Sequence, residues 1–219
     1  MTSSTSDTQP RNSMLTTAAY ILGKSRFRGL DFIVNENVLV PRFETELLVD
    51  TVIKYGGTRV LDMCTGSGCI AVTLALAGKD VSAADISQPA LDVAKSNAQR
   101  HGVFIDFIQG DMFANINGKY DVIVSNPPYL REDEIGVEDK QTLKEPKIAL
   151  DGGEDGLLFY RTIAREAGKY LVDGGMLALE IGHMQGDAVS GLLRTNNWGN
   201  IEVIKDDGNR DRVIVCWKN

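Results

Sequence analysis

The sequence is short of the residues that build metal centres and disulfide frameworks. Its 219 residues include 3 cysteines and 2 histidines. Cys64, Cys69 and Cys216 are odd in number, and no pair of them has metal-ligand spacing. His101 and His183 are too few for a histidine-rich metal site. The sequence therefore points to no bound metal, and to a reduced, cytoplasmic setting. It also lacks an apolar run of about 18 residues, so no membrane span is expected, and no signal peptide is recognisable. Positive charge is scarce as well: 23 Lys and Arg stand against 30 Asp and Glu, for a net charge of −7. Such a surface repels phosphate backbones and argues against a nucleic-acid partner, whereas a protein partner or a cationic small molecule fits it. There is no internal repeat.

What is present is enough for one large α/β domain. Hydrophobic residues make up 43% of the chain, which supports a sizeable core at this length. Residues 1–13 are Ser/Thr-rich and have no apolar face, so they read as a disordered tail or a cloning remnant. Residues 14–40 read as a short helix ending at Gly23, then a β-hairpin of "DFIVNENVLV" turning at Asn35-Glu36-Asn37. Residues 41–219 carry the main domain, opening with a helix over "PRFETELLVDTVIKYGG". From Thr58 onward, short apolar runs alternate with helical segments. This pattern predicts a Rossmann-like, seven-stranded, mostly parallel sheet with helices on both faces. Two closing strands without a helix between them require the last one to run antiparallel. A polar excursion at 131–153 has the length of a functional loop, and its start, "REDEIGVEDK", is a candidate lid. Glu180 ends the strand "LALE" and reads as a structural residue.

Two places carry candidate chemistry. The first is "VLDMCTGSGCIAV", where Gly66 and Gly68 sit between a strand and a helix. Glycines there permit a tight turn and let backbone N–H groups approach a ligand. The next strand ends in Asp85, about 20 residues on, where a carboxylate can accept hydrogen bonds from a ribose diol. Asp111 follows the third strand and is placed to meet an adenine amino group. Three strand ends together point to an adenosine-type ligand. A nicotinamide dinucleotide and S-adenosylmethionine are both compatible with it, but Asp62 inside the first turn suits an amino-acid end better than a diphosphate. Asp62 also has a simpler reading, as a loop cap.

The second place is "SNPPYL", directly after the apolar run "YDVIV". Asn126 offers a side-chain carbonyl and Pro127 a backbone carbonyl, and the Pro127-Pro128 pair stiffens the corner. Two fixed acceptors can hold both hydrogens of an –NH2 group, with the ring of Tyr129 to cover it. This is the chemistry that methyl transfer to a poorly nucleophilic nitrogen requires, since positive charge builds on that nitrogen in the transition state.

These two motifs together resemble the class I S-adenosylmethionine-dependent methyltransferases. With "VPRFETELLVD", "ADISQPALDVAKSNAQRHG", "EPKIALDGGEDGLLFYR" and "LALEIG", the chain resembles the release-factor glutamine methyltransferases, the HemK/PrmC family. The resemblance implies methyl transfer to a glutamine amide in the Gly-Gly-Gln loop of class 1 peptide-chain release factors, with S-adenosylhomocysteine as by-product. It implies that Cys64, Thr65, Gly66, Ser67, Gly68 and Asp85 line the donor site, and that Asn126, Pro127, Pro128 and Tyr129 hold the glutamine. Met112 stands where some members carry an aromatic residue beside adenine. Phe43 replaces a proline usual in that segment, and Arg42 and Glu145 are candidates to fix loops around the substrate. Only the end of the family's helical N-terminal region, near "AAYILGKSRF", is recognisable. The competing reading is an adenine-N6 methyltransferase acting on DNA or RNA, which shares the Asn-Pro corner. A nucleotide-binding subunit or dehydrogenase is a third.

Overall fold

Apolar runs of four to six residues, too short for a helix and bounded by glycine or polar residues, become the central strands. The computed structural model describes the backbone of residues 9–135 and 144–219, and side chains from residue 16 on. β3 (Arg59–Met63), β4 (Asp80–Asp85), β5 (Asp106–Gln109) and β6 (Tyr120–Ser125) pair in parallel, and β7 (Leu171–Glu180) continues the parallel set. β8 (Trp198–Lys205) and β9 (Asp211–Lys218) close the sheet. β9 inserts antiparallel between β7 and β8, giving the order β5-β4-β3-β6-β7-β9-β8. That antiparallel step is what the missing helix between the last two strands demanded.

Alternating side chains give the sheet two apolar faces. Val60, Val122 and Val124 face α2 (Thr45–Tyr55), α3 (Cys69–Leu76) and α4 (Gln88–His101). Leu61, Ile123 and Leu177 face α5 (Leu158–Glu166) and α6 (Gly186–Thr195). The chain reverses its winding direction between β3 and β6. In an open parallel sheet, the crevice at such a switch, outside the carboxyl ends of the strands, is where ligands bind. Both sequence motifs lie at that switch.

The N-terminal part differs from the sequence expectation. A helix, α1 (Gln9–Leu22), begins well before Leu15, and Pro10 is tolerated because it falls in the first turn. Residues 1–8 lie outside the described part. The hairpin is β1 (Lys24–Phe27) with β2 (Leu30–Ile33), so Asp31–Ile33 pairs backward, with residues 24–26, and not forward with 38–40. Arg28 and Gly29 both have positive φ, 47° and 77°, the mirror-image turn that suits strand twist. Asn35–Val38 forms a separate turn, and Val38 and Val40 are buried against Ala90 and Val93 without joining a strand. The helix expected from Pro41 starts at Thr45, and Arg42–Glu44 form the turn before it.

Candidate functional site

The turn after β3 needs three left-handed residues: Cys64, Gly66 and Gly68 have φ of 59°, 53° and 77°. Gly68 is further constrained, since a Cβ there would lie 2.9 Å from the Cβ of Ala94 on α4. The turn is pinned to β4: Thr65 N donates to the Ala84 carbonyl at 3.0 Å. Asp85 receives Gly66 N on Oδ2 and Ser87 N on Oδ1, both at 2.9 Å. These bonds fix the Asp85 carboxylate and leave lone pairs on both oxygens. Burial raises its pKa above the usual carboxylate value. Asp62 lies beneath the turn, 0% exposed. Its Oδ2 accepts from Thr65 Oγ1 at 2.6 Å. Burial pushes its pKa up to about 7 against the Thr65 hydrogen bond.

These groups open onto a cavity of about 330 Å³, at the low end of the range for small-molecule sites. Of the residues expected from sequence, Arg42, Cys64, Thr65, Gly66, Ser67, Asp85, Asp111, Met112, Asn126 and Pro128 line it. Asp62, Gly68, Pro127, Tyr129 and Phe43 are not among the lining residues. Asp62 and Gly68 support the turn from behind, and Phe43 is 75% exposed beside the lining residue Arg42. Tyr129 packs against the core on the α5/α6 face of the sheet, and burial raises the pKa of its phenol.

The Asn-Pro corner is held from three sides. Ser125 Oγ donates to the Met63 carbonyl at 2.7 Å, tying the end of β6 to β3. Asn126 Nδ2 donates to Thr45 Oγ1 at 3.2 Å, which turns the amide so that its oxygen is left to accept from elsewhere. Among the described residues, no donor bonds to Asn126 Oδ1 or to the Pro127 carbonyl. Beyond the corner, Leu130 N donates to Leu150 O at 3.0 Å, and Gly152 N to Leu130 O at 2.7 Å. Gln185 Nε2 donates to the Tyr129 carbonyl at 3.0 Å. A Cβ on Gly152 would sit 2.8 Å from Tyr129 Cα, and one on Gly156 would sit 2.4 Å from Tyr129 O. The glycines of "ALDGGEDGL" thus let one backbone lie directly on another and clamp the corner.

Arg42 and Glu145 meet one another, below the surface. Arg42 Nη2 donates to Glu145 Oε2 at 2.6 Å and Nη1 to Thr16 Oγ1 at 2.9 Å. Glu145 Oε1 accepts from Val40 N at 3.2 Å, and its side chain is 0% exposed. One ion pair therefore joins α1, the segment before α2 and the far end of the 131–153 excursion, whose Ile148 and Ala149 line the cavity. Of the "REDEIGVEDK" stretch, 136–140 lie outside the described residues.

Sequence reasoning missed several groups. Thr45 and Ser87 line the cavity with the apolar Ile86, Ile148 and Leu158. Asn97, 0% exposed, clasps the hairpin to the glycine turn: its Oδ1 accepts from Ile33 N at 2.7 Å, and its Nδ2 donates to Ile33 O at 3.0 Å and Ser67 O at 2.9 Å. A polar residue on the buried face of a helix was the signal for it. Among the described residues, no helix is long and apolar enough to cross a membrane.

Known proteins are similar to this chain. The family model "Methyltransferase small domain" matches residues 43–153, the span from the rim at Phe43 through both motifs to the clamp. A "Release factor glutamine methyltransferase" of Streptococcus pneumoniae is 44% identical over 205 residues, covering 90% of this chain and 74% of that protein. The protein of the same name from Bacillus subtilis is 42% identical over 212 residues, covering 90% and 74%. Among solved structures, a methyltransferase from Pyrococcus furiosus superposes with a TM-score of 0.71 at 20% identity, covering 96% of this chain and 98% of that one; it shares the fold. On this identity and coverage, the chain belongs to the release factor glutamine methyltransferase family.

Proposed function

We propose that this chain moves a methyl group from S-adenosylmethionine to the side-chain amide nitrogen (N5) of a glutamine. The acceptor is the Gly-Gly-Gln motif of a class 1 peptide-chain release factor, in the cytoplasm. Residues 41–219 form the methyltransferase domain in this reading, with 14–40 attached to it. The observation that carries it is Asn126, which lines the cavity with an Oδ1 that no donor among the described residues reaches, beside a turn that suits an adenosyl ligand; the buried Pro127 carbonyl, also without a donor among the described residues, is the second acceptor in this reading.

The donor supplies an activated methyl group on a sulfonium. The residues present fit such a molecule. Asp85 has lone pairs to spare for a ribose diol, Asp111 lies at the next strand end, and Met112, Ile70 and Ile86 give apolar walls for a base. Asp62 is buried beneath the turn, and a cationic amino-acid end bound there would favour its ionised form. Asn126 and Pro127 would take one amide hydrogen each, fixing the glutamine nitrogen with its lone pair toward the methyl group. As the new N–C bond forms and the S–C bond breaks, positive charge on nitrogen is met by two oxygens already in place. One proton then leaves the nitrogen for solvent.

Asn126→Ala is expected to lower turnover by about 10²–10³, the loss seen when one preorganised polar group is removed. The test is transfer of labelled methyl to a purified release factor and to DNA and RNA, side by side. Label in the factor, lost with a Gln→Ala change in its Gly-Gly-Gln motif, supports the reading. Label in nucleic acid alone moves the assignment to adenine-N6 methylation.

A further inference from the structure

One cationic residue faces the cavity. Among the described residues, Arg42 is the single Lys or Arg that lines it, alongside the carboxylates Asp85 and Asp111. A guanidinium is an unexpected neighbour for a positively charged sulfur, because like charges in a protein cleft repel more strongly than in bulk water. What surrounds that charge resolves the conflict. Arg42 Nη2 donates to Glu145 Oε2 at 2.6 Å, and Nη1 donates to Thr16 Oγ1. Glu145 stands behind Arg42, outside the lining residues, with its side chain 0% exposed. Its other oxygen accepts from Val40 N at 3.2 Å, and the nearby Val38 carbonyl accepts from the Tyr20 hydroxyl at 2.7 Å. The carboxylate is thus tied to the same stretch of chain, Asn37 to Arg42, that walls the cavity. Neither partner can turn away without breaking a second bond, so the wall presents a dipole with no net charge.

We propose that Glu145, acting through Arg42, is a positioning residue for charge: it compensates the guanidinium so that the cavity takes the sulfonium of S-adenosylmethionine in preference to the neutral thioether of S-adenosylhomocysteine. The two molecules differ by one methyl group and one positive charge. With Arg42 compensated, the carboxylates at the strand ends set the sign of the field, and a cation is favoured. When the S–C bond breaks, its electron pair stays on sulfur and the charge there is gone. The attraction that held the donor goes with it, and the by-product leaves more readily.

This inference rests on the donor named above, and a charge cycle separates the two. The readout is the ratio of two dissociation constants, by-product over donor, from calorimetry on the full chain. Partial unfolding does not move this ratio, because the folded fraction scales both constants alike. Glu145→Gln keeps the size of the side chain and leaves the guanidinium uncompensated; it is expected to lower the ratio about five- to tenfold. Arg42→Met leaves the carboxylate uncompensated and is expected to raise the ratio about threefold. The double variant, with neither charge, is expected to return to within about twofold of wild type. A wall that is merely loosened weakens both ligands together and cannot move the ratio in opposite directions. Either single variant carries the test should the other fail to fold. A ratio that stays within about twofold of wild type in the single variants, or that moves the same way in both, overturns the inference and leaves the proposed function standing. A wild-type chain that binds neither ligand overturns both.

Discussion

Gly152→Ala adds a single methyl group 2.8 Å from Tyr129 Cα, 2.9 Å from Tyr129 C and 3.0 Å from Gly156 Cα. Comfortable carbon–carbon contact lies at about 3.5–4.0 Å, so roughly 0.5–1 Å of clearance must be found. All three neighbours are backbone atoms, so no rotamer change can supply it. Either the loop lifts or the Tyr129 main chain retreats, and Tyr129 is two residues from the Pro127 carbonyl. Overpacking of this kind costs about 1–3 kcal/mol of stability, which at this chain length is a fall in Tm of about 2–12 °C. A displacement near 1 Å at the acceptor pair costs about 10²-fold in rate. The glycine turn lies on β3 and is pinned to β4, away from this clash, so donor affinity is expected to stay within about threefold. Single-turnover methyl transfer to release factor gives the rate, calorimetry gives donor binding, and a melt gives Tm. A melt lowered as expected with wild-type turnover would show that the clamp does not set the corner's geometry. Donor affinity falling in step with the rate would show that the damage is general.

Two further outcomes follow from buried charge. Arg42→Ala removes the guanidinium that faces the fully buried Glu145 carboxylate. Breaking such a pair costs about 3–5 kcal/mol, so Tm is expected to fall by roughly 10 °C, and a melt unchanged within about 2 °C would place the pair's energy elsewhere. Asp62, with its pKa raised to about 7 by burial, holds a proton in the folded state that the unfolded chain releases near pH 4. Stability is therefore greatest at low pH on this account, falls as pH rises from about 4 to about 7, and levels off above that. Glu180, also raised to about 7 by burial, acts in the same sense. Asp62→Asn is expected to flatten part of that decline in the ligand-free protein, by up to about 4 kcal/mol across the window, and denaturant melts at pH 4, 5.5 and 7 measure it. An unaltered slope would show that Asp62 is ionised in the fold throughout.

The parts of this molecule written as periodic pattern could be read directly. Strands β3, β4 and β6 are apolar runs between polar turns, and the Gly66 and Gly68 turn sits where one ends. Asp85 and Asn126 could be placed because a strand end fixes where the following residue points. The hairpin was misplaced because "KSRF" is charged and its turn is Arg28-Gly29, weak turn chemistry, whereas Asn35-Glu36-Asn37 imitates a hairpin loop. Thr45 and Asn97 could not be assigned, since each acts across a long span: Thr45 on Asn126, Asn97 on Ile33 and Ser67. Tyr129 shows the opposite limit. Its position in the motif suggested a ring over the planar group, and its packing against the core on the α5/α6 face is a contact between elements that a motif does not contain.

Asn97 bears on where this enzyme can be cut. Phe27 and Phe32 are within the same core as Val60 and Leu74, and Asn97 holds the Ile33 peptide on one side and Ser67 on the other. A shortened catalytic fragment that starts at Pro41 would strip two aromatic rings from the interior and leave this amide with one of its three bonds. An engineer grafting the catalytic unit elsewhere should therefore carry the sequence from Lys24 onward, treating the little ribbon as the floor under the donor-binding turn.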